Sequence, residues 1–184
     1  MSIETGNSGA GFQLNKMIIK SKNFILRHRE KSDLNSYCKN ILDKSIAKNF
    51  MTNPKNFNEA KKEFLATFSN NKKNAKSLSF IVDINGDAAG EIDLLLEDKH
   101  KAKISYWLGK KYRGQGIMTK AVKLFTNYAF NKYKIKRIYG YVRTFNKPSL
   151  KVLKNAGYKL EGILRKNKFK EGKYLDDMVW AKVK

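Results

Sequence analysis

The stretch Leu108-Gly109-Lys110-Lys111-Tyr112-Arg113-Gly114-Gln115-Gly116-Ile117-Met118 decides the fold, because it leaves a strand pattern and enters an amphipathic helix. Glycines let successive backbone N–H groups turn toward one point, and the first turn of the helix adds its partial positive charge there. These features predict a binding site for a pyrophosphate, to which Lys110, Lys111 and Arg113 add positive charge. The alternative is a tight strand-to-helix turn that needs glycine only for its backbone conformation.

Two other phosphate-binding patterns do not occur in this stretch. The P-loop requires Gly-Lys followed by Ser or Thr after four spacer residues. The dinucleotide fingerprint requires a third glycine near the position of Thr119. The sequence therefore disfavours both a nucleoside-triphosphate enzyme and a dehydrogenase.

The patterns on either side of the loop predict a mixed sheet with flanking helices. Alternation and apolar runs predict strands over 24–29, 78–84, 89–96, 104–108, 137–142, 158–164 and 174–183. Apolar residues at helical spacing predict helices over 34–42, 57–68 and 118–132, and a short helix that Asn146 caps and Gly157 ends. Asn85-Gly86-Asp87 is typical of a hairpin turn. This order predicts an α/β (α+β) domain with a mixed sheet, not a Rossmann fold or a barrel.

The length of 184 residues suits one domain, which we expect over residues 18–184. Residues 1–17 are rich in Ser, Gly and Asn and are expected to be a flexible tail or a remnant of cloning. The sequence has neither a secretory signal pattern nor an apolar run long enough for a membrane span. Cys38 is the only cysteine, which fits the reducing cytoplasm.

The run from Ile104 to Val122 resembles the central motif of the GNAT (Gcn5-related) N-acetyltransferase superfamily, in which Arg/Gln-x-x-Gly-x-Gly/Ala binds the pyrophosphate of CoA. Lys111 stands at the first position of that motif and keeps its charge. Further on, Arg137-Ile138, Asn146-Lys147-Pro148-Ser149 and Gly157-Tyr158 are similar to the branch that acetylates the N-termini of ribosomal proteins (RimJ/RimL-like). The resemblance implies that acetyl-CoA contacts Trp107, Leu108, Lys111, Arg113, Gly114, Gln115, Gly116, Ile117, Met118, Asn146 and Ser149.

The resemblance also implies a mechanism of direct attack by an amine on acetyl-CoA, which would lie between two splayed strands over 104–108 and 137–142. Many GNAT enzymes place a proton-donating tyrosine where this chain has Leu153. The resemblance to the RimJ/RimL-like branch implies that Ser149, in the Asn-x-x-Ser motif, is the partner of the leaving thiolate, and that Asn146 binds the pantetheine arm or orders a water. The alternative is that Asn146 and Ser149 only cap a helix.

The base that removes a proton from the incoming ammonium group is harder to assign. Alternation sends Glu91, Asp93 and Glu97 to one face of a strand, and Glu91 is the first candidate. Tyr139 and Tyr141 are further candidates. The alternative is that the three carboxylates form a polar stripe facing solvent.

The net charge of +23 is unevenly distributed. Residues 1–98 contain 15 basic and 12 acidic side chains, whereas residues 99–184 contain 24 and 4. The second half should attract phosphates, nucleic acid, a ribosome or acidic proteins and repel polycationic amines. The alternative is a bias toward Lys and Asn spread over solvated faces.

Three functions remain open from the sequence. The first is acetyl transfer to a primary amine, with a protein N-terminus as one acceptor, and the second is the same transfer to a small amine such as an antibiotic or a peptide-like metabolite. The third is a non-catalytic module that binds CoA or RNA.

His28 and His100 do not have the spacing of zinc ligands, so we expect no metal. We expect no membrane partner, and either a monomer or a homodimer.

Overall fold

The computed structural model of the chain describes residues 18–70 and 76–184, with side chains of the helix ending at residue 70 described as far as residue 66. The strands are β1 (Ile18–Lys20), β2 (Ile25–Arg27), β3 (Ser77–Ile84), β4 (Asp87–Leu96), β5 (Lys101–Leu108), β6 (Arg137–Arg143), β7 (Lys159–Lys170) and β8 (Lys173–Val183). The helices are α1 (Leu34–Ile41), α2 (Lys44–Ala47), α3 (Phe57–Asn70), α4 (Ile117–Lys132) and α5 (Lys147–Asn155). The predicted tail over residues 1–17 lies outside the described residues.

The eight strands form one mixed sheet in the order β1-β2-β3-β4-β5-β6-β8-β7. Neighbouring strands are antiparallel except for β5 and β6, which run parallel. The connection from β5 to β6 contains the glycine loop and α4, as a parallel pair requires a crossover. The predicted α/β mixed sheet is confirmed.

The helices divide between the two faces of the sheet because side chains alternate along each strand. On one face, Phe80 of β3 packs against Phe125 of α4, and Tyr106 of β5 contacts Ser149 of α5. On the other face, Trp107 of β5 packs edge-on against Tyr37 of α1. Each face has its own hydrophobic core, and the larger one lies under α4 and α5.

Local signals predicted the elements well, and their ends less well. The Asn85-Gly86 turn joins β3 to β4 as predicted, and both residues have positive φ. The sequence missed β1, because three residues are too few to show alternation. It also ended β7 at residue 164, whereas the strand continues to Lys170. Nearly every residue of β7 is exposed, so alternation gives no signal there, and pairing with β8 extends the strand.

Within residues 18–70 and 76–184, none of the helices combines the length and the apolar character that crossing a membrane requires.

Candidate active site

The glycine loop between β5 and α4 has the geometry predicted for an anion site. Gly114 and Gly116 have φ of 80° and 72°, a region that side-chain-bearing residues rarely adopt. Gly116 is the N-cap of α4 and has no side chain that could accept a hydrogen bond from the first turn of the helix. A Cβ built on either glycine would meet no atom within 4 Å. The N-terminus of α4, a 16-residue helix, therefore directs its unpaired backbone N–H groups and the positive end of its dipole toward open space beside the loop.

The structure places the predicted cofactor-binding side chains around this loop in two groups. Ile117, Met118, Trp107 and Leu108 are buried in the two cores, so only their backbone groups can face a cofactor. Gln115 is exposed beside the glycines. The fit to a pyrophosphate thus rests on backbone donors, supplemented by the exposed cations of the loop.

The two cations predicted closest to the glycines already have partners within the protein. The ammonium group of Lys111 forms an ion pair with Asp87 at 2.7 Å, although the side chain is 61% exposed. Arg113 donates from Nε to the Leu108 carbonyl at 2.9 Å and from Nη1 to the Ser45 hydroxyl at 2.8 Å. Because Arg113 bridges the end of β5 and α2, it ties the glycine loop to α2.

A cleft opens between β5 and β6. The two strands pair only at their first three positions, from Lys101 with Arg137 to Lys103 with Tyr139. Gly140 then passes so close to Ile104 that a Cβ on it would lie 3.1 Å from the Ile104 carbonyl oxygen. Beyond this point the strands have no register with each other. The predicted splay is confirmed, and the gap between Ile104–Leu108 and Gly140–Arg143 is called the interstrand cleft.

Ser149 and Asn146 lie at the start of α5. The Asn146 side-chain oxygen accepts a hydrogen bond from the Ser149 N–H at 3.3 Å, so Asn146 is the helix cap that the sequence predicted. The Ser149 hydroxyl lies 2.8 Å from the Tyr106 hydroxyl, which also lies 3.2 Å from the Ser149 carbonyl oxygen. Leu153, at the position of the usual tyrosine, is fully buried.

Sequence reasoning missed Tyr106 as a partner of Ser149. Burial raises the pKa of Tyr106, with the hydrogen bond to Ser149 opposing that shift, so the phenol remains protonated. It can therefore hold and polarise the Ser149 hydroxyl but does not give up its own proton at neutral pH. The only local signal was alternation, which places Tyr106 on the face opposite Trp107.

Glu91 lies on the α1–α3 face of the sheet in a buried hydrogen-bonded group. Its carboxylate forms an ion pair with Arg29 and accepts from the Tyr37 hydroxyl at 3.1 Å and the Trp107 indole N–H at 3.4 Å. The Arg29 guanidinium lies over the rings of Tyr37 and Phe64, at 4.7 and 4.9 Å from their centroids. Both ionic side chains are under 10% exposed, so the pair holds α1, β4 and β5 together.

Asp93 lies two residues further along β4 on the same face, opposite Ser105 of β5. Removal from water, with the negative charge of Glu91 added, raises its pKa well above the usual value. The Ser79 hydroxyl hydrogen-bonds the carboxyl and opposes the shift. Unlike Glu91, Asp93 has no ion-pair partner among the described residues. A carboxyl of this kind, beside the strand β5 that forms one wall of the cleft, is suited to accept a proton.

Glu97 and Tyr139 lie at the closed end of the cleft, where β5 and β6 still pair. The Tyr139 hydroxyl donates to Glu97 at 2.5 Å. Tyr141, the next residue on that face, is 44% exposed and lies along the open part of the cleft. The structure thus separates Glu97 from the other two predicted carboxylates.

The loop after α2 (residues 48–56) and the tip of the β7–β8 hairpin (residues 166–173), which we call the acceptor regions, meet beside the cleft. Lys170, near the tip of the β7–β8 hairpin, donates to the carbonyls of Ala47 and Phe50 at 3.1 and 2.8 Å. Arg143, at the end of β6, forms a buried ion pair with Asp177 and contacts the Met51 sulfur at 3.0 Å. Positively charged side chains therefore join the loop after α2 to the hairpin.

The family model for the acetyltransferase (GNAT) domain matches residues 23–159, which include the glycine loop, the cleft and α5. This chain belongs to the GNAT acetyltransferase family. The match covers most of the chain and begins before β2, so it includes both faces of the sheet.

Relatives of this GNAT chain share parts of its sequence. YjcK of Bacillus subtilis (strain 168), named a probable N-acetyltransferase, is 45% identical over 80 residues, 44% of each chain. Spermidine N(1)-acetyltransferase of Escherichia coli (strain K12) is 29% identical over 98 residues, 52% of each chain. The chain thus spans about half the length of these curated relatives.

The fold of RimL, a ribosomal L7/L12 α-N-protein acetyltransferase solved in its apo form, is similar along nearly the whole chain. The TM-score is 0.81 at 20% identity, covering 97% of this chain and 99% of that one. At this identity the likeness shows the GNAT fold, which the sequence predicted through its resemblance to the RimJ/RimL-like branch.

Proposed function

We propose that the protein transfers the acetyl group of acetyl-CoA to a primary amine, and that the acceptor is a protein N-terminus. The observation that carries this proposal is the position of the glycine loop directly after β5, the strand that forms one wall of the interstrand cleft. The N-terminus of α4, which we propose binds phosphate, therefore adjoins the part of β5 that has no partner strand on its β6 side. This arrangement suits a long cosubstrate with a pyrophosphate at one end and amide groups along its arm.

Acetyl-CoA supplies a thioester whose carbonyl carbon is open to attack. Backbone N–H groups of Gly114–Met118 bind its phosphates, and the edge of β5 over Ile104–Leu108 pairs with its amides. A backbone N–H near Leu108 polarises the thioester carbonyl, which strengthens its interaction as negative charge develops on oxygen. The amine attacks directly, so the chain needs no nucleophile of its own.

Ser149 assists the departing sulfur in this proposal. Its hydroxyl donates a hydrogen bond to the thiolate as charge develops. Its oxygen, which lies 2.8 Å from the Tyr106 hydroxyl, is then left to accept from the phenol. Tyr106 is a positioning residue, because it acts on the sulfur only through Ser149. Asn146 fixes the first turn of α5 and so sets the position of Ser149.

Asp93 accepts the proton that the acceptor ammonium must lose, directly or through water. Its raised pKa makes the carboxylate a stronger base than an ordinary aspartate. Glu91, the first candidate from the sequence, stays a prediction as the base. Its ion pair with Arg29 favours a structural role, since protonating it would leave Arg29 buried without its counter-charge.

The charges around the acceptor regions favour an amine that belongs to an acidic segment. Lys166, Lys168 and Lys170 lie on β7 near its turn, and Asp177, the acidic residue closest to Arg143, is already neutralised by it. RimL, which shares the fold, is named for acting on the α-amine of a ribosomal protein. We place the reaction in the cytoplasm, where acetyl-CoA and nascent ribosomal proteins occur.

A small amine is the second candidate acceptor, because one relative is a spermidine N(1)-acetyltransferase. The test is CoA release with three acceptors: a peptide with an acidic N-terminal segment, the same peptide with its acidic residues changed to lysine, and spermidine. The proposal expects kcat/KM at least about tenfold higher for the acidic peptide, with the difference shrinking at high salt. Efficient turnover of spermidine would overturn the acceptor assignment, and CoA binding without any transfer would favour a non-catalytic module.

A further inference from the structure

A long segment of the chain contains no carboxylate side chains at all. Residues 99–160 include 17 Lys and Arg and no Asp or Glu, whereas residues 1–98 include 12 acidic side chains. A general bias toward lysine adds positive charges but does not remove negative ones. The loss of acidic residues over this segment therefore needs a reason that belongs to its place in the fold.

The segment forms one side of the molecule, because α4 and α5 cover the same face of the sheet. Lys120 and Lys123 begin an exposed stripe on α4 that continues through Asn127 and Asn131 at helical spacing. The lysines of α5 recur with similar spacing. We call the six exposed residues Lys120, Lys123, Lys132, Lys147, Lys151 and Lys154 the lysine face. Across residues 18–70 and 76–184, no carboxylate forms an ion pair with any of them.

The cofactor phosphates do not account for the extent of the lysine face. The proposed pyrophosphate site lies at the N-terminus of α4, and Lys132 is the last of the 16 residues of that helix. The two ends are about 24 Å apart at 1.5 Å per residue. At physiological ionic strength, charges interact little beyond about 8–10 Å. Lys132 would thus add little to binding at the glycine loop.

The composition of the lysine face identifies the class of partner. Neither α4 nor α5 carries an exposed large apolar side chain, and the turn before α5 carries Phe145, which is 46% exposed. Protein interfaces need a buried apolar centre, and interfacial membrane helices need apolar residues that enter the lipid. Lysines interspersed with asparagines and one exposed ring are instead suited to regularly spaced phosphates and an unstacked base.

We propose that the lysine face binds the phosphodiester backbone of a single-stranded nucleic acid, with Phe145 available to stack on a base. This goes beyond acetyl transfer and does not depend on it. Since the carboxylates Glu91 and Asp93 and the loop after α2 lie on the other side of the sheet, a bound strand leaves the acceptor regions free. An enzyme held in this way would work on amines within a ribonucleoprotein.

The test is fluorescence anisotropy with short labelled polyuridylate and oligodeoxythymidylate strands, titrated at several salt concentrations between about 50 and 200 mM. Each phosphate neutralised in a single strand contributes about −0.7 to the slope of log affinity against log salt. The variant Lys123→Gln/Lys132→Gln/Lys154→Gln should make that slope shallower by about 2 and weaken binding at least about tenfold at the lower salt concentrations. Preference for the ribose strand would identify RNA as the source, and equal binding would identify either nucleic acid.

A matched control removes three positive charges from the opposite side of the molecule. Lys55→Gln/Lys61→Gln/Lys62→Gln changes exposed residues in and before α3, which packs on α1 across the sheet from α4. The control should keep the wild-type slope and affinity. Equal losses in both variants would overturn the proposal, because net charge alone would then explain binding. Complete displacement by saturating CoA, or equally tight binding of polyglutamate or phosphatidylserine vesicles, would also overturn it.

Discussion

The two faces of the sheet differ in how their charged side chains are buried and paired. On the α1–α3 face, β4 presents Glu91 and Asp93, and one of these carboxylates is neutralised by the buried Arg29. On the α4–α5 face, the lysines are exposed and unpaired by carboxylates among the described residues, and the polar contact near the cleft is the neutral Tyr106–Ser149 pair. Since the interstrand cleft opens through the sheet, an acyl group placed in it can be reached from both faces. In the proposed mechanism, a group on the α1–α3 face removes the proton and a group on the α4–α5 face assists the leaving thiolate.

The largest effects should separate the two carboxylates of β4. Asp93→Asn should lower kcat by about a hundred- to ten-thousandfold, because it removes the proposed proton acceptor while keeping the shape and the contact with Ser79. Glu91→Gln should instead lower the free energy of unfolding by about 3–5 kcal/mol, since it leaves the Arg29 charge buried and uncompensated. Steady-state kinetics and urea unfolding on both variants check this. If Glu91→Gln kept its stability and lost its activity, the two assignments would be reversed.

On the α4–α5 face, substitutions of Ser149 and Tyr106 should lower kcat by different amounts. Ser149→Ala should lower kcat by about ten- to a thousandfold with little change in CoA affinity, because its contact strengthens as charge develops on sulfur. Tyr106→Phe should give a smaller loss in kcat and no added loss in the Ser149→Ala background, since Tyr106 acts through Ser149. A double-mutant cycle on kcat measures the coupling. Additive losses would show that the two residues act independently.

A smaller effect, on stability, should distinguish Asp93 from an ordinary surface carboxylate. Its folded-state pKa is raised above the unfolded value of about 3.9, so the native protein binds the proton more tightly. The stability contributed by this proton is present below about pH 4 and is lost as pH rises through the folded-state pKa. Asp93→Asn should therefore be more stable than wild type near pH 7 and equal to it near pH 4. Equal stabilities at both values would show that Asp93 is solvated.

The helix cap should give the smallest effect. Asn146→Ala removes the acceptor for the Ser149 N–H and should lower the free energy of unfolding by about 1 kcal/mol. Activity should also fall moderately, because the first turn of α5 holds Ser149. Asn146→Asp keeps the cap acceptor and should restore stability, which urea denaturation measures.

Features set by local backbone chemistry could be predicted from the sequence. The Gly114-Gln115-Gly116 loop and the Asn85-Gly86 turn follow from residues that accept positive φ, and Asn146 was predicted as a helix cap. The RimJ/RimL-like resemblance led to Ser149, which lies at the start of α5 beside a phenol.

Features that depend on long-range packing could not be predicted. Tyr106 and Ser149 are 43 residues apart, and Arg29 and Glu91 are 62 apart, so periodicity within either strand does not pair them. The partners of Lys111 and Arg113 were missed for the same reason, because Asp87 and Ser45 belong to other elements. Alternation predicted three carboxylates on one face, whereas the pairing of Arg29 with Glu91 alone is set by contacts between distant parts of the chain.

Calorimetric titration of CoA into the wild-type protein and into Gly116→Val tests most directly whether the glycine loop is the cosubstrate site. A Cβ at Gly116 meets no protein atom, but its φ of 72° is strained for valine and the side chain would fill the space facing the N-terminus of α4. We expect wild type to bind CoA and the variant, shown to be folded by circular dichroism, to bind at least about a hundredfold more weakly, a loss of about 2.7 kcal/mol. Unchanged CoA affinity in the folded variant would contradict the assignment of the loop and the cleft that follows from it.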